Sequence, residues 1–223
     1  MAQVTQIKRP DSLSKSAEDF IRDQIVRGRF QLGEALQEAK LSSELGISKT
    51  PIREALAALN LQGLVQIIPQ RGAFVFTLSE QDVVQLCQYR TILEHAALDL
   101  ALERDADQLL STLDTVLAAM VEARREDDFQ LYLDLDADFH DAFFLLCENN
   151  YLAEGYKKVG DIVRTIRMHL SRRPHRTDKS FAEHESIVQS LKLGRVSAAK
   201  KVLRTQIMRG ERAYSDLSGG AQV

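Results

Sequence analysis

Residues 41–56 read Leu-Ser-Ser-Glu-Leu-Gly-Ile-Ser-Lys-Thr-Pro-Ile-Arg-Glu-Ala-Leu. Gly46 falls where a short helix over Glu38–Leu45 should end, in a left-handed conformation that is cheap only without a β-carbon. Two residues later Ser48 is placed to cap a new helix. Pro51 then lies in its first turn, where no backbone N–H is required. Ile52, Ala55, Leu56 and Leu59 recur at i, i+3, i+4 and i+7, one apolar stripe along one face. Gly63 stops the pattern, so the stretch reads as helix, tight turn, helix.

Upstream, Ala17, Phe20, Ile21, Ile25 and Val26 give a helical period between Leu13 and Phe30, with Gly33 ending that segment in a turn. Residues 1–10 are polar and expected to be loose. Downstream the period changes to two. Residues 64–68 and Ala73–Phe76 are strand-like runs separated by Pro69-Gln-Arg-Gly72, a hairpin with a basic tip. Three helices followed by a two-stranded hairpin is the winged helix-turn-helix plan. With the stripe turned inward, Lys49, Thr50 and Arg53 lie opposite it near the helix N-terminus, where side chains reach base edges and the dipole favours phosphate. Arg71 at the wing tip is suited to the minor groove or the DNA backbone. A generic three-helix module with a solvated charged face is the plainer alternative. The cap, proline, stripe and basic wing in that order favour duplex DNA.

Ser79-Glu-Gln-Asp82 is a helix start with acidic residues in the first turn. We therefore divide the chain into a DNA-binding domain over 1–78 and a helical domain over 79–223. The second part shows six helical segments, near 80–103, 106–126, 128–148, 151–173, 178–193 and 195–217, with no strand-like interruption. The fold class expected is mainly α: the winged module, then a six-helix all-α bundle. At 44% apolar and 27% charged, the 223 residues have an ordinary globular composition. The net charge of −3 divides into +2 for the first 78 residues and −5 for the rest. No apolar run approaches the ~20 residues of a membrane span, and the N-terminus lacks a signal-peptide pattern. A cytoplasmic protein is expected, with Cys87 and Cys147 as buried thiols. The tail 218–223 is expected to fray, and there is no CxxC motif, Walker loop or GxGxxG.

Ionisable residues normally stay off the buried stripe of an amphipathic helix, yet several sit on it here. Tyr132, Asp136, Phe139, His140 and Phe143 share one face; Phe181, His184, Val188 and Leu191 share another; Ala199, Val202, Leu203 and Gln206 a third. A buried carboxylate with two buried imidazoles is costly unless the groups pair or bind something. Asp136, His140 and His184 are a suitable ligand set for a divalent transition metal. Two readings stand on spacing alone: a metal site, or Asp136 orienting His140 with His184 satisfied in the core. Arg90 interrupts the stripe of Val83, Leu86, Cys87, Leu93 and Ala97, with Glu94 four residues on to neutralise it. Arg164 and Arg167 flank the stripe of Val159, Val163, Ile166 and Leu170, where each alone reads as solvated. An arginine aimed into a cavity is suited to bidentate capture of a carboxylate. His169, His175 and the Arg172–Arg173 run read as loop or surface charge.

The stretch 41–56, followed by Gly63-Leu-Val65 and Pro69-Gln-Arg-Gly72, resembles the signature of the GntR family of bacterial transcription regulators over about residues 12–76. That resemblance implies DNA contacts by Ser48, Lys49, Thr50, Arg53, Arg71 and Gly72. Lys49 stands where arginine is more frequent and cannot form arginine's planar fork. Asp136-Ala-Asp-Phe-His140, then Asn149 and Leu152, then Glu183-His184-Glu-Ser-Ile187 and Gly194, resemble the FCD effector-binding domain of the FadR subfamily over about 79–215. Six helices are similar to its shorter, VanR-like group. The resemblance implies a metal held by Asp136, His140 and His184, zinc or nickel, with Gln206 standing where many members have a fourth histidine.

These readings combine into a homodimeric transcription regulator, a repressor by resemblance, that reads a palindromic operator in double-stranded DNA. A small carboxylate metabolite in the helical bundle would control it, with Arg90, Arg167, Asn149 and Gln206 as effector contacts. Two rivals are a metal-assisted hydrolase on Asp136, His140 and His184, and a regulator for which the metal is itself the signal.

Overall fold

The computed structural model describes residues 12–171 and 176–218, so the expectations for residues 1–10, for Arg172, Arg173 and His175, and for 219–223 lie outside the described residues. The chain divides into two compact units, one ending at Thr77 and one beginning at Leu78.

In the first unit, α1 (Leu13–Val26), α2 (Glu38–Leu45) and α3 (Lys49–Leu61) accompany strands β1 (Ala35–Leu36), β2 (Val65–Ile68) and β3 (Gly72–Val75). The apolar stripe of α3 is inside: Ile52, Ala55, Leu56 and Leu59 are buried with Ile21 and Ile25 of α1 and with Leu64, Val75 and Phe76. Gly46 closes α2 at φ +66, and the Ile47 N–H returns to the Ser42 carbonyl at 3.2 Å. Two expectations need correction. The first helix stops at Val26, not Phe30, because Gly28 adopts φ +64 and the N–H groups of Arg29 and Phe30 fold back to the Gln24 carbonyl. The wing is three-stranded: β1 adds to β3 in the antiparallel order β1-β3-β2, with Leu36 opposite Ala73 and Gln66 opposite Phe74. A two-residue strand is too short to show a period.

The second unit, among the described residues, is wholly helical: α4 (Glu80–Arg125), α5 (Phe129–Leu146), α6 (Asn150–Ser171), α7 (Arg176–Lys192) and α8 (Val196–Ser218). Ser79 and Asp82 form a reciprocal capping box that starts α4. The helix is broken at Asp105 (φ −157, ψ 91). There the Asp105 carboxylate accepts the Gln108 N–H at 2.8 Å, as a cap does, and a second arm begins. The helices expected near 80–103 and 106–126 are these two arms. α4 packs along α5 and α8, and α7 packs on α8. Leu98, Leu109, Leu113, Met120, Phe139 and Phe143 are fully buried between them. Cys87 and Cys147 are buried free thiols.

Candidate functional site

On α5, Asp136 and His140 lie one turn apart, and the stripe that carries them is buried from Tyr132 to Phe143. Packing turns the same face of α7 inward, so His184 arrives beside them with no exposed surface. One ligand atom from each of Asp136, His140 and His184 lies within 4.8 Å of the others. The Phe139 ring lies against the His184 ring, centroids 4.2 Å apart at 34°, and fixes its plane.

The surroundings of this trio are polar. Ser180 Oγ donates to Asp136 Oδ1 at 2.9 Å. Arg167 Nη1 lies 2.6 Å from Asp136 Oδ2, an ion pair whose angle falls short of a good hydrogen bond. His184 Nε2 lies 3.5 Å from Asp136 Oδ1. Burial pushes the Asp136 carboxyl upward, but Arg167, His184 and Ser180 outweigh it and hold it below the usual carboxylate range. Burial drives His184 down to about 3, against the pull of Asp136, so its imidazole is neutral at pH 7. Glu94 of α4 completes the cluster. Its Oε1 accepts from Arg90, and its Oε2 lies 2.6 Å from Nδ1 of His140. Burial opposes the charge, and Arg90 with His140 restores it, leaving the carboxyl at about 2.

The residues present fit a metal. Both ring nitrogens of His184 and the Oε1 of Gln206 are buried and make no hydrogen bond. Leaving a buried polar group unsatisfied costs about 1–3 kcal/mol, and this gap is one that a cation with its other ligands would close. Two imidazoles and a carboxylate are a ligand set for zinc or nickel. Asp136 and His140 open onto a cavity of about 100 Å³ lined also by Arg90, Arg167, Ser180 and Gln206, while His184 lies behind them, fully buried. Gln206 reaches it from α8, its amide nitrogen 3.3 Å from Ser180 Oγ.

Of the residues expected to contact an effector, Arg90, Arg167 and Gln206 thus share one cavity. Asn149 does not line it. Its side chain accepts the N–H groups of Tyr151 and Leu152 at 3.1 and 3.2 Å, which makes it the cap of α6 and explains its place in the sequence without a ligand. Arg90 is tied to Glu94 by Nε and Nη2 at 3.0 and 2.8 Å. Arg164 stays part-exposed on Asp141, whereas Arg167 turns inward, against its solvated reading. His169 is half-buried and not a surface charge. Sequence reasoning missed Ser180, and it read Glu94 only as a neutraliser of Arg90. The link from Glu94 to His140 spans 46 residues and leaves no local signal.

In the first unit, Ser48, Lys49, Thr50 and Arg53 are all exposed around the first turn of α3. Ser48 occupies the cap position but its hydroxyl makes no capping bond. Arg53 Nε meets Glu38 at 2.7 Å on the surface. Arg71 is exposed at the hairpin tip, its guanidinium 5.8 Å from the Phe74 ring centroid. Gly72, also exposed, adopts φ +105, which side chains rarely tolerate.

The gntR family of bacterial regulatory proteins matches residues 13–75, and the FCD domain matches residues 85–208, more than half of the chain. The chain belongs to the GntR family. Among its relatives is the Paenarthrobacter nicotinovorans protein named "Probable D-xylose utilization operon transcriptional repressor", 27% identical over 95% of this chain and 93% of that protein. The Nta operon transcriptional regulator of Aminobacter aminovorans is 30% identical over 64% of this chain and 67% of its own length. A GntR transcriptional regulator from Rhodococcus sp. RHA1 has the same fold, with a TM-score of 0.77 at 24% identity over 91% of this chain and 97% of that one. These proteins are regulators of transcription and not enzymes, which removes the hydrolase reading. No helix among the described residues is long and apolar enough to cross a membrane.

Proposed function

We propose that this GntR-family regulator is a homodimeric repressor of a palindromic operator, released by a small carboxylate that binds beside a divalent metal in the second unit. The DNA contacts are Ser48, Lys49, Thr50, Arg53, Arg71 and Gly72. Their exposure near a helix N-terminus and at a basic hairpin tip suits phosphate and major-groove contact. Two-fold symmetry in the protein calls for two-fold symmetry in the operator.

The observation that carries the sensing half is the set of buried, unbonded acceptors and donors on His184 and Gln206 beside Asp136 and His140. Asp136, His140 and His184 would hold the metal, and it would supply a Lewis-acidic point for an oxygen of the effector. The charges select the effector. Glu94 is balanced by Arg90, and Asp136 faces Arg167. A divalent cation added to that set makes the cavity positive, so an anion is the guest it favours. Ligand bound more tightly by one arrangement of the dimer than another shifts operator affinity by that difference.

The test joins metal content to DNA binding. Protein as purified should contain about one zinc or nickel per chain on elemental analysis. Operator affinity should fall steeply with salt, as expected when Lys and Arg displace counterions from phosphates. After chelation, small carboxylates should lose their effect on operator binding while specific binding itself persists. Operator binding that vanishes on chelation alone would favour the metal as signal. An unchanged carboxylate response after complete metal removal would sink the metal's role.

A further inference from the structure

Glu94 is neither in the ligand trio nor on the DNA-facing surface, yet its side chain has no exposure at all. Both of its oxygens are committed. Oε1 accepts Nε–H and Nη2–H of Arg90, one turn earlier on α4. Oε2 crosses to α5 and meets His140 Nδ1 at 2.6 Å. An ionised carboxylate can only accept, so the proton between them sits on Nδ1 and His140 donates. An imidazole that ligates a metal carries a single proton, and with that proton held on Nδ1 the lone pair is on Nε2. That is the one nitrogen of His140 free to ligate.

We propose that Glu94, itself anchored by Arg90, is a positioning residue that fixes His140 in its Nδ1–H tautomer and aims Nε2 into the metal cavity. This rests on the metal reading above and deepens it. The contrast with His184 supports the assignment. His184 has no hydrogen-bonded carboxylate: Asp136 Oδ1 lies 3.5 Å from Nε2 without a hydrogen bond, Phe139 packs against the ring, and neither ring nitrogen has a hydrogen-bond partner. The two imidazoles are therefore prepared differently, one by a hydrogen bond and one by packing. A buried Arg90–Glu94 pair serving stability alone would need only one carboxylate oxygen and would not dictate a tautomer on another helix.

Two measurements decide this. In metal-free protein with 15N-labelled histidine, long-range proton–nitrogen spectra near pH 7.5 should show His140 as the Nδ1–H tautomer. An Nε2–H tautomer overturns the proposal, and this test needs no variant. Zinc affinity, measured by competition with a chelating dye, should fall about 10–100-fold in Glu94→Gln, the range for losing a carboxylate that orients a ligating histidine. Circular dichroism of the variant establishes that it is folded. The absorption of bound cobalt should also change, reporting an altered ligand field. A folded E94Q protein that binds zinc within twofold of wild type, with an unchanged cobalt spectrum, overturns the proposal. Wild-type protein that binds no zinc overturns instead the metal reading on which it rests, so the two failures are told apart.

Discussion

In the first unit the side chains assigned to DNA stand in water, with Lys49, Thr50, Arg53 and Arg71 exposed, while the apolar stripe of α3 is inside. In the second unit the chemistry is itself the buried face. Glu94 and His184 have no exposure, His140 is 1% exposed and Asp136 3%. Both units use amphipathic helices, but the second gathers a whole cluster of charge on the apolar side, whereas in the first α1 buries Glu18 against Arg22 at the edge of its apolar face. The difference separates two kinds of constraint. An exposed contact can be lost without disturbing the fold, whereas an internal cluster holds charges in place only because each has a partner. Function and stability should therefore come apart in one unit and move together in the other.

The largest expected effect follows from removing a central partner. Asp136→Ala leaves the Arg167 guanidinium and the Ser180 hydroxyl facing an empty, low-dielectric space. Truncating one side of a buried ion pair costs about 3–5 kcal/mol, and with Arg167 16% exposed the lower end applies. Urea denaturation followed by circular dichroism should show that loss, together with loss of zinc binding. A variant as stable as wild type would mean that the cluster relaxes without its carboxylate, and the contrast between the units would fail.

Arg53→Ala should do the reverse. Arg53 is 65% exposed and its pair with Glu38 is a surface contact, so stability should change by no more than about 0.5–1 kcal/mol. Operator affinity should fall by about 1–3 kcal/mol, roughly 5- to 150-fold, with loss of sequence preference, as for an arginine that reads a guanine edge. Fluorescence anisotropy on operator and scrambled duplexes measures both. Retained preference would assign Arg53 to its Glu38 pair and not to a base.

The same difference governs what could be read from the chain. The turn at Gly46, the stripe through Leu59 and the strand-like runs of the hairpin are local patterns, and each is present in the structure. Asp136, His140 and His184 were legible because polar groups at apolar spacings are conspicuous. What escaped depends on contacts between distant segments. β1 is defined only by pairing with β3. The second role of Glu94 exists only because α5 packs on α4 and brings His140 to it. Asn149 is the opposite case: a residue carried over with a family pattern has a sufficient local reason as the cap of α6.

Ser48 gives the smallest effect and the sharpest discrimination. A serine at a helix cap normally contributes about 1 kcal/mol by accepting an N–H of the first turn. Here its hydroxyl makes no such bond, so that contribution is absent and the N–H groups at the start of α3 remain open. Those groups and the free hydroxyl are the donors that a DNA phosphate would take. Ser48→Ala should therefore leave thermal stability within about 0.5 kcal/mol of wild type while operator affinity falls a few-fold, equally for operator and scrambled duplex, because a phosphate contact carries no sequence information. A stability loss of about 1 kcal/mol with unchanged DNA affinity would show that Ser48 is an ordinary cap. The first turn of α3 would then belong with the residues that hold the fold, not with those that grip the duplex.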